Sequence, residues 1–456
     1  MKLLYLRRPM TTRTAILLRN NFLLLAACYL TSAAAAQQDS TKTPRVNLHF
    51  QATYIYQYKP AFHASYSGPN SLSPHEEHQN SLTSTLYLGA RLWRGAELYI
   101  NPEVAGGSGL SGAFGLAAST NGETFRVGNP EPTLYLGRAY LSQTFAIGQT
   151  SYKQVGEGAN EVGGNKPVNF LRLMLGKFSL ADIFDANSYA NSPRTQFLNW
   201  CLMNNGAWDF AANVRGYTYA FAAIYQRSNM AYKVAVATLP TTANGSALNT
   251  NLGEEFSINA EADRSWKWHG MPGAARLLGY CNDGHMGNYQ QAINNAPLYF
   301  FPDVTSTREF GRTKYGICLN AEQQLSSGVG AFVRAGWNDG QNETWAFTEA
   351  DQALALGVNI NGKTWKREND NIGIAAVANG LSQAHRKYLS LGGMGFQLGD
   401  GTLQYASETA AELYYSCKPF NNGIWLSADY QFILNPGYNK DRGPVSVFGI
   451  RVHAEL

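Results

Sequence analysis

Residues 445–456 read VSVFGIRVHAEL, and their side chains alternate between two kinds of surface. The apolar face carries Ser446, Phe448, Ile450, Val452, Ala454 and Leu456, and the charged face carries Val447, Gly449, Arg451, His453 and Glu455. A soluble antiparallel sheet buries its apolar face and leaves the polar face in water. A strand that is apolar outside and charged inside is typical of a transmembrane β-barrel around a water-filled lumen. The segment therefore predicts an all-β transmembrane barrel.

Other segments alternate in the same way, and this period of two specifies the register of a strand. They are residues 46–57, 82–92, 96–104, 314–322, 329–338 and 424–434. The short turn Trp93-Arg94-Gly95 lies between two of them and predicts a hairpin. One segment breaks the pattern, because apolar and charged residues share one parity in it: Leu134, Leu136, Arg138 and Tyr140. This break indicates either a β-bulge or an error in the strand assignment.

Segments rich in Gly, Asn, Pro and Ser separate the strands and are too long for tight turns. They are residues 67–81, 106–132, 152–167, 282–312 and 338–366. Long loops cluster on the outer side of such barrels, with short turns on the periplasmic side, so we expect these segments on the outer side. Within loops, short helices are expected near residues 179–182 and 349–356.

The N-terminal segment has the features of a signal peptide. Five basic residues precede a short apolar run at 22–30, and Ala34-Ala35-Ala36 matches a cleavage site before Gln37. Cys28 lies in a lipoprotein-like box, which leaves lipidation as a second interpretation. The predicted organisation is a signal peptide at 1–36 and an outer-membrane barrel domain at 37–456.

Composition supports the barrel and excludes one class of partner. Removal of residues 1–36 leaves 31 basic and 32 acidic residues, so no basic surplus remains to bind nucleic acid. The remaining 420 residues contain no apolar run of 18 or more, which excludes a transmembrane helix. About 16 strands of ~10 residues, short periplasmic turns and long extracellular loops fill this length.

No motif in the sequence supports a metal site, a cofactor or a catalytic site. Cys201, Cys281, Cys318 and Cys417 are scattered without a C-x-x-C spacing, which indicates no zinc or redox motif. An oxidising periplasm would permit disulfides between them, and Cys318, which lies inside a strand pattern, is interpreted as a small apolar residue. Residues 107–112 match G-x-G-x-x-G but lack a surrounding strand–helix unit. We therefore predict no cofactor, no metal and no enzyme activity.

From residue 175 onward the chain resembles the OprB-type carbohydrate-selective porins of bacterial outer membranes. The motifs are GKFSL at 176–180 with Asp182, FDAN at 184–187, PRTQFLN at 193–199, GAWDF at 206–210, GYTY at 216–219, DYQFI at 429–433, NPGYN at 435–439 and DRGPV at 441–445. The resemblance implies a 16-stranded barrel in the bacterial outer membrane. It also implies sugar diffusion down a gradient without energy coupling, through a narrowing lined by arginines and acidic residues.

A sugar passage needs planar charged groups that exchange hydrogen bonds with hydroxyl pairs, and aromatic faces. By parity, the candidates that line it are Glu103, Arg138, Lys177, Arg334, Asp429 and Arg451, and Trp425 is expected to point inward because it breaks the lipid-facing alternation. The alternative is that these charges pair with each other and keep the lumen wet. A second polar group could bind solute hydroxyls or a cation, but we expect it to cap turns and short helices, with Lys177 and Arg194 as ion partners. Its members are Asp182, Asp185, Asn187, Asn199 and Asp209.

The predicted function is passive diffusion of mono- or small oligosaccharides into the periplasm. Expected partners are these solutes, outer-membrane lipid, and the barrel assembly machinery acting on the C-terminal strand, with either a monomer or a homotrimer as the functional unit. Alternatives are a porin for other small polar solutes or organic anions, an outer-membrane barrel enzyme, and an adhesive barrel that acts through its loops.

Overall fold

The computed structural model describes residues 45–124, 131–297, 300–419 and 423–456, and residues 45–455 form the barrel unit. The predicted signal peptide and the lipidation site at Cys28 lie outside the described residues. Sixteen antiparallel strands close into a barrel in chain order, and the last pairs with the first. The barrel strands are β1 (Val46–Lys59), β2 (Glu77–Trp93), β3 (Ala96–Gly106), β4 (Thr133–Ala146), β7 (Phe170–Phe178), β8 (Thr218–Arg227), β9 (Met230–Ala237), β12 (Phe256–Trp268), β13 (Met271–Met286), β14 (Glu309–Ser326), β15 (Val329–Asn338), β16 (Gln352–Asn361), β17 (Asn371–Gly380), β18 (Glu408–Cys417), β19 (Ile424–Leu434) and β20 (Val445–Glu455).

The loops contain the remaining regular structure. Two small hairpins pair β5 (Tyr152–Val155) with β6 (Gly164–Pro167), and β10 (Leu239–Pro240) with β11 (Leu248–Asn249). Short α-helices span Trp200–Met203, Tyr289–Asn295 and Gln383–Ser390, and 3₁₀ turns span Leu110–Ala113, Leu180–Asp182, Val304–Thr307, Gly362–Trp365 and Pro436–Tyr438. Among the described residues, no helix has the length and apolar character needed to cross a membrane.

The alternation of β20 has the predicted sense. Phe448 and Ile450 are 48% and 59% exposed on the outer face, whereas Arg451 and His453 are each 1% exposed on the inner face. The outward side chains of the other strands are also large and apolar, which suits contact with lipid. The prediction of a barrel that is apolar outside and charged inside is confirmed.

The break in alternation at residues 134–140 is a β-bulge. The pairing of β3 with β4 shifts between Asn101, which lies opposite Arg138, and Pro102, which lies opposite Leu136. The extra residue on β4 is Gly137. It changes the parity, so Leu136 faces outward while Arg138 lies at the lumenal side.

The two ends of the barrel differ in their connections. Two-residue turns at 94–95, 228–229, 269–270 and 327–328 lie at the end where β1 begins, and the opposite end carries loops of up to 39 residues. Since short turns face the periplasm in such barrels, the long loops are extracellular. Their described parts are residues 60–76, 107–124, 131–132, 179–217, 238–255, 287–297, 300–308, 339–351, 381–407 and 435–444.

Three expectations for the loops are wrong. Residues 338–366 are not one outer loop, because they contain the whole of β16 and reach the short-turn end after it. Residues 152–167 lie in the connection between β4 and β7, which are neighbours in the barrel. β4 runs in the same direction as β2 and ends at the same end of the barrel, so this connection lies at the short-turn end. Residues 349–356 form no helix, and Gln352–Asn361 is instead β16. Its alternation of Ala353 and Ala355 inside with Leu354 and Leu356 outside outweighs the helix propensity of Ala and Leu. The helix expected near 179–182 exists as the 3₁₀ turn Leu180–Asp182.

Candidate functional site

The loop between β7 and β8, residues 179–217, folds back into the barrel and is called the inward loop below. Phe184, Phe197, Leu198 and Trp208 of this loop are fully buried. The Phe197 ring packs edge-on against Tyr414 of the wall, with 5.0 Å between the ring centroids. Burying each such side chain stabilises by about 1.5–3 kcal/mol, so the hydrophobic core of this protein sits inside the barrel, between the inward loop and one wall.

Two wall arginines attach the inward loop to the barrel. Arg334 on β15 forms a 3.1 Å ion pair with Asp185 and donates to the carbonyl oxygen of Leu202 at 2.7 Å. Arg451 on β20 donates to the carbonyl oxygens of Pro193 and Gln196 at 2.7 and 2.6 Å. Both arginines are 1% exposed. The structure therefore places them beneath the inward loop, where they fix its position instead of facing open space.

Acidic wall residues complete this attachment. Glu412 accepts from the backbone N–H groups of Leu198 and Asn199 at 2.5 and 2.9 Å. Asp429, predicted to line the passage, lies beside Glu412 on the paired strand and accepts from Gln431 at 3.3 Å. It is only 6% exposed. Asp429 is therefore buried beside the anchor Glu412 and does not face open space.

The polar residues of the family motif act mainly as caps and anchors, as predicted. Their ion partners are not the expected Lys177 and Arg194, because Asp182 pairs with Arg138 and Asp185 pairs with Arg334. Asn199 accepts from the N–H of Cys201 at the start of the helix Trp200–Met203, and Asp182 forms a capping box with Ser179. Asp209 accepts from three successive backbone N–H groups of the loop after β15, those of residues 345–347. These bonds join the inward loop to a second extracellular loop.

The opposite side of the inward loop faces a network of charged groups. Arg194 at its tip bonds Glu103 of β3 at 3.0 Å and Glu123 of the loop after β3 at 3.0 Å. Arg138 of β4 forms a 2.6 Å ion pair with Asp182. Burial lowers the pKa of Arg194, but the two carboxylates outweigh burial and raise this pKa above its usual value. The arginine therefore stays charged.

A phenol completes this network. Tyr217, at the end of the inward loop, donates to Glu103 at 3.0 Å and lies against the Arg138 guanidinium. Burial, followed by the charge of Glu103, raises the pKa of Tyr217. Tyr217 therefore remains a neutral hydrogen-bond donor. Tyr135 of β4 also donates to Glu103.

These groups line a cavity of about 340 Å³ between the inward loop and the wall formed by β1 to β4, which we call the constriction cavity. Its volume falls in the range of small-molecule sites. Three arginines and three carboxylates balance its charge, namely Arg138, Arg194, Arg215, Glu103, Glu123 and Asp182. Six aromatic side chains add flat apolar surface: Tyr87, Tyr135, Trp200, Phe210, Tyr217 and Phe347. The described residues contain no cluster of His, Cys, Asp or Glu able to hold a metal ion.

The sequence-based candidates therefore fall into separate places. Glu103 and Arg138 line the constriction cavity, whereas Arg334, Arg451 and Asp429 lie under the inward loop. Trp425 has the lumenal parity of β19, and its ring lies 5.7 Å from that of His453 and 4.6 Å from the Lys418 ammonium. It is not among the residues of the constriction cavity.

The structure corrects the prediction for Lys177. This residue pairs with Tyr219 on the outer face of the barrel and donates to the carbonyl oxygen of Leu136 at 2.8 Å. Its ammonium lies 6.0 Å from the Tyr219 ring centroid. Lys177 is the penultimate residue of β7, where a long cation can reach a polar group at the membrane boundary. It does not line the lumen.

Three residues of the constriction cavity were not predicted as lining groups: Glu123, Asp182 and Arg215. Arg194 was expected only as an ion partner of a capping group. All four lie in loops, where the period-2 alternation gives no orientation. The available signal for Asp182, Arg194 and Arg215 was their position within or beside the motifs at 176–219, whereas Glu123 lies outside those motifs.

A family model and a solved structure agree with the barrel fold. Residues 70–456 match the model of the carbohydrate-selective porin OprB family. A high-pH structure of Pseudomonas putida OprB is similar, with a TM-score of 0.68 at 18% identity over 90% of this chain and 94% of that chain. The outer membrane channel DcaP of Acinetobacter baumannii gives a TM-score of 0.49 at 12% identity over 90% and 97% of the two chains. No match was found among curated protein sequences.

Proposed function

This chain belongs to the carbohydrate-selective porin OprB family and forms a carbohydrate channel in the bacterial outer membrane, and we propose that mono- and small oligosaccharides diffuse passively into the periplasm through its constriction cavity. The observation that carries this proposal is the charge balance of the cavity lining. A neutral solute gains nothing from a net field, whereas an anion path needs an excess of positive charge.

The lining suits hydroxylated solutes for a chemical reason. Arginine offers a planar set of donors, and carboxylates offer acceptors, so adjacent hydroxyl groups can bind to both. Aromatic faces such as Trp200 and Tyr87 provide apolar surface for the C–H face of a pyranose ring. We therefore assign solute contact to Glu103, Arg138 and Arg194.

The other predicted residues receive different roles in the proposal. Arg334 and Arg451 set the position of the inward loop and so set the width of the passage, and Asp429 is buried beside the anchor Glu412. Trp425, at the periplasmic end of β19, would contact the solute as it leaves. Lys177 has no role in passage, because its side chain lies on the outer face.

The alternative functions are less well supported. Selectivity for organic anions is disfavoured by the equal numbers of acidic and basic groups in the cavity. The family and the fold favour a channel over an enzyme, and the absence of catalysis is part of our proposal. The proposal also includes removal of residues 1–36 and recognition of β20 by the barrel assembly machinery.

Single-channel conductance in a planar bilayer tests this function. We expect stable current steps that decrease saturably when glucose or maltotriose is added. In a potassium chloride gradient, the reversal potential should indicate only weak ion selectivity. A pronounced anion selectivity with no response to either sugar would support the organic-anion alternative instead. Absence of any conductance from folded protein would refute a channel.

A further inference from the structure

A second cavity lies at the periplasmic end of the lumen, separate from the constriction cavity. It measures about 320 Å³ and lies between the underside of the inward loop and the turn at residues 327–328. We call it the exit cleft. Its lining consists of Ser188, Tyr189, Thr195, Gln196, Gln324, Ser327, Gly328, Val329, Gly330, Asn359, Asn361, Asn371 and Tyr414.

The chemistry of the exit cleft differs from that of the constriction cavity. Five of the lining residues have a primary amide in the side chain, and five have a hydroxyl group. None of the 13 lining residues is charged. Amides and hydroxyls each offer both donors and acceptors. A lining of this kind suits an uncharged solute with many hydroxyl groups, and it offers no ionic contact to a charged solute.

Strand pairing explains why the amides converge. Asn359 and Asn361 both lie on the lumenal face of β16, and Asn371 of β17 lies directly opposite Asn361. In the paired strands, residues on the same face and directly opposite have closely spaced side chains. Asn359 donates to the Tyr414 hydroxyl at 2.8 Å, which fixes one end of this row.

Two tyrosine rings lie flat against the wall because glycines make room for them. A Cβ atom on Gly330 would lie 2.0 Å from the Tyr189 ring, and one on Gly373 would lie 2.1 Å from the Tyr414 ring. Tyr189 belongs to the inward loop and Tyr414 to β18. Tyr414 is 1% exposed, so the exit cleft combines the partly exposed ring of Tyr189 with a row of amides.

We propose that the exit cleft is a second carbohydrate-binding site, which a sugar occupies after it leaves the constriction cavity. The proposal rests on the function proposed above, because the solute must be a sugar. The two sites differ in kind: the first holds the solute between paired charges, and the second holds it with neutral groups. A sugar added from the periplasmic side reaches the exit cleft without crossing the constriction cavity.

Sugar titration from each side of an oriented bilayer channel tests the proposal. Asn371→Ala removes one amide without breaking a wall strand, and Thr195→Val removes a hydroxyl from the inward loop while keeping its shape. For glucose added at the periplasmic side, each variant should raise the dissociation constant about fivefold, the effect of one net hydrogen bond. Glucose added at the extracellular side should show a smaller change.

Asn165→Ala is the matched control, because Asn165 is an exposed asparagine of β6 that does not line the exit cleft. It should retain the wild-type dissociation constants. If both cleft variants also retain the wild-type constants while wild-type current responds to glucose, the exit cleft is not a sugar site. If wild-type current responds to glucose from neither side, the proposed function fails together with the exit cleft.

Discussion

Replacing Arg334 by Met should loosen the inward loop while leaving the barrel closed. The substitution removes the ion pair with Asp185 and the bond to the Leu202 carbonyl, and leaves a carboxylate that is 1% exposed without its counter-ion. Breaking a buried pair in this way costs about 3–5 kcal/mol. The ratio of attached to detached inward loop should fall by roughly 100- to several-thousand-fold, at tenfold per 1.4 kcal/mol.

The barrel itself should survive this change, because the ladder hydrogen bonds of β15 involve only its backbone. Single-channel recording is the assay. Arg334→Met should show added noise and brief steps of higher conductance as the inward loop detaches, and sugar block should weaken. Heat-modified mobility in gels checks that the barrel is folded.

A double variant separates the ion pair from general damage. The double variant carries Arg334→Met and Asp185→Asn, so it has no unpaired buried carboxylate at residue 185. In the native structure the Asn320 side-chain amide donates to one Asp185 carboxylate oxygen at 2.8 Å, and the amide oxygen of the introduced asparagine can accept this bond. The double variant should therefore be quieter than the single variant. Arg367→Met is the control, since Arg367 is half exposed in a turn remote from the inward loop, and its partner Asp370 keeps hydrogen bonds from the Tyr415 hydroxyl and the Lys418 N–H. A single variant with wild-type noise and sugar block would refute this account of the anchor.

Three further predictions concern charge. Arg194→Met should leave two carboxylates of the constriction cavity without their shared partner, so the reversal potential in a salt gradient should shift toward cation selectivity. Burial raises the pKa of Asp351, but His385 and other partners outweigh burial and lower this pKa to about 2. The charged Asp351 therefore contributes about 2 kcal/mol to the free energy of unfolding above pH ~4, and this contribution is lost as the pH falls toward 2. Acid unfolding of the Asp351→Asn variant should lack this loss of stability. Lys177→Met should leave conductance, ion selectivity and sugar block unchanged, because Lys177 lies on the outer face; a change in any of these would contradict that placement.

The barrel wall could be predicted from sequence because each strand position has only two environments. Lipid outside and polar contacts inside impose a period of two, so the orientation of residues such as Arg451 and Ile450 follows directly from the pattern. The same rule located a break in parity at residues 134–140 without deciding its cause, and the structure shows that the cause is a bulge at Gly137. It failed for Lys177, where the flexible side chain of a strand-end residue reaches a polar partner at the boundary.

The site could be predicted only in part, since its shape depends on contacts between distant parts of the chain. Arg334 meets Asp185 across 149 residues, and Arg451 meets Pro193 across 258 residues. No local pattern predicts that the inward loop would cover these arginines. Parity correctly placed them inside the barrel. It could not distinguish an arginine that lines the passage from one that holds a loop.

This distinction has a consequence for how the channel releases its solute. The anchoring arginines are almost fully buried, whereas the Arg138 and Arg194 side chains are 14% and 15% exposed. In both, the guanidinium already has a carboxylate partner without any solute present. A sugar hydroxyl that bonds to one of them replaces or shares an existing bond, so the net gain is smaller than for a free cation. Paired charges in the constriction cavity therefore favour recognition with weak binding, which is the condition for rapid passage.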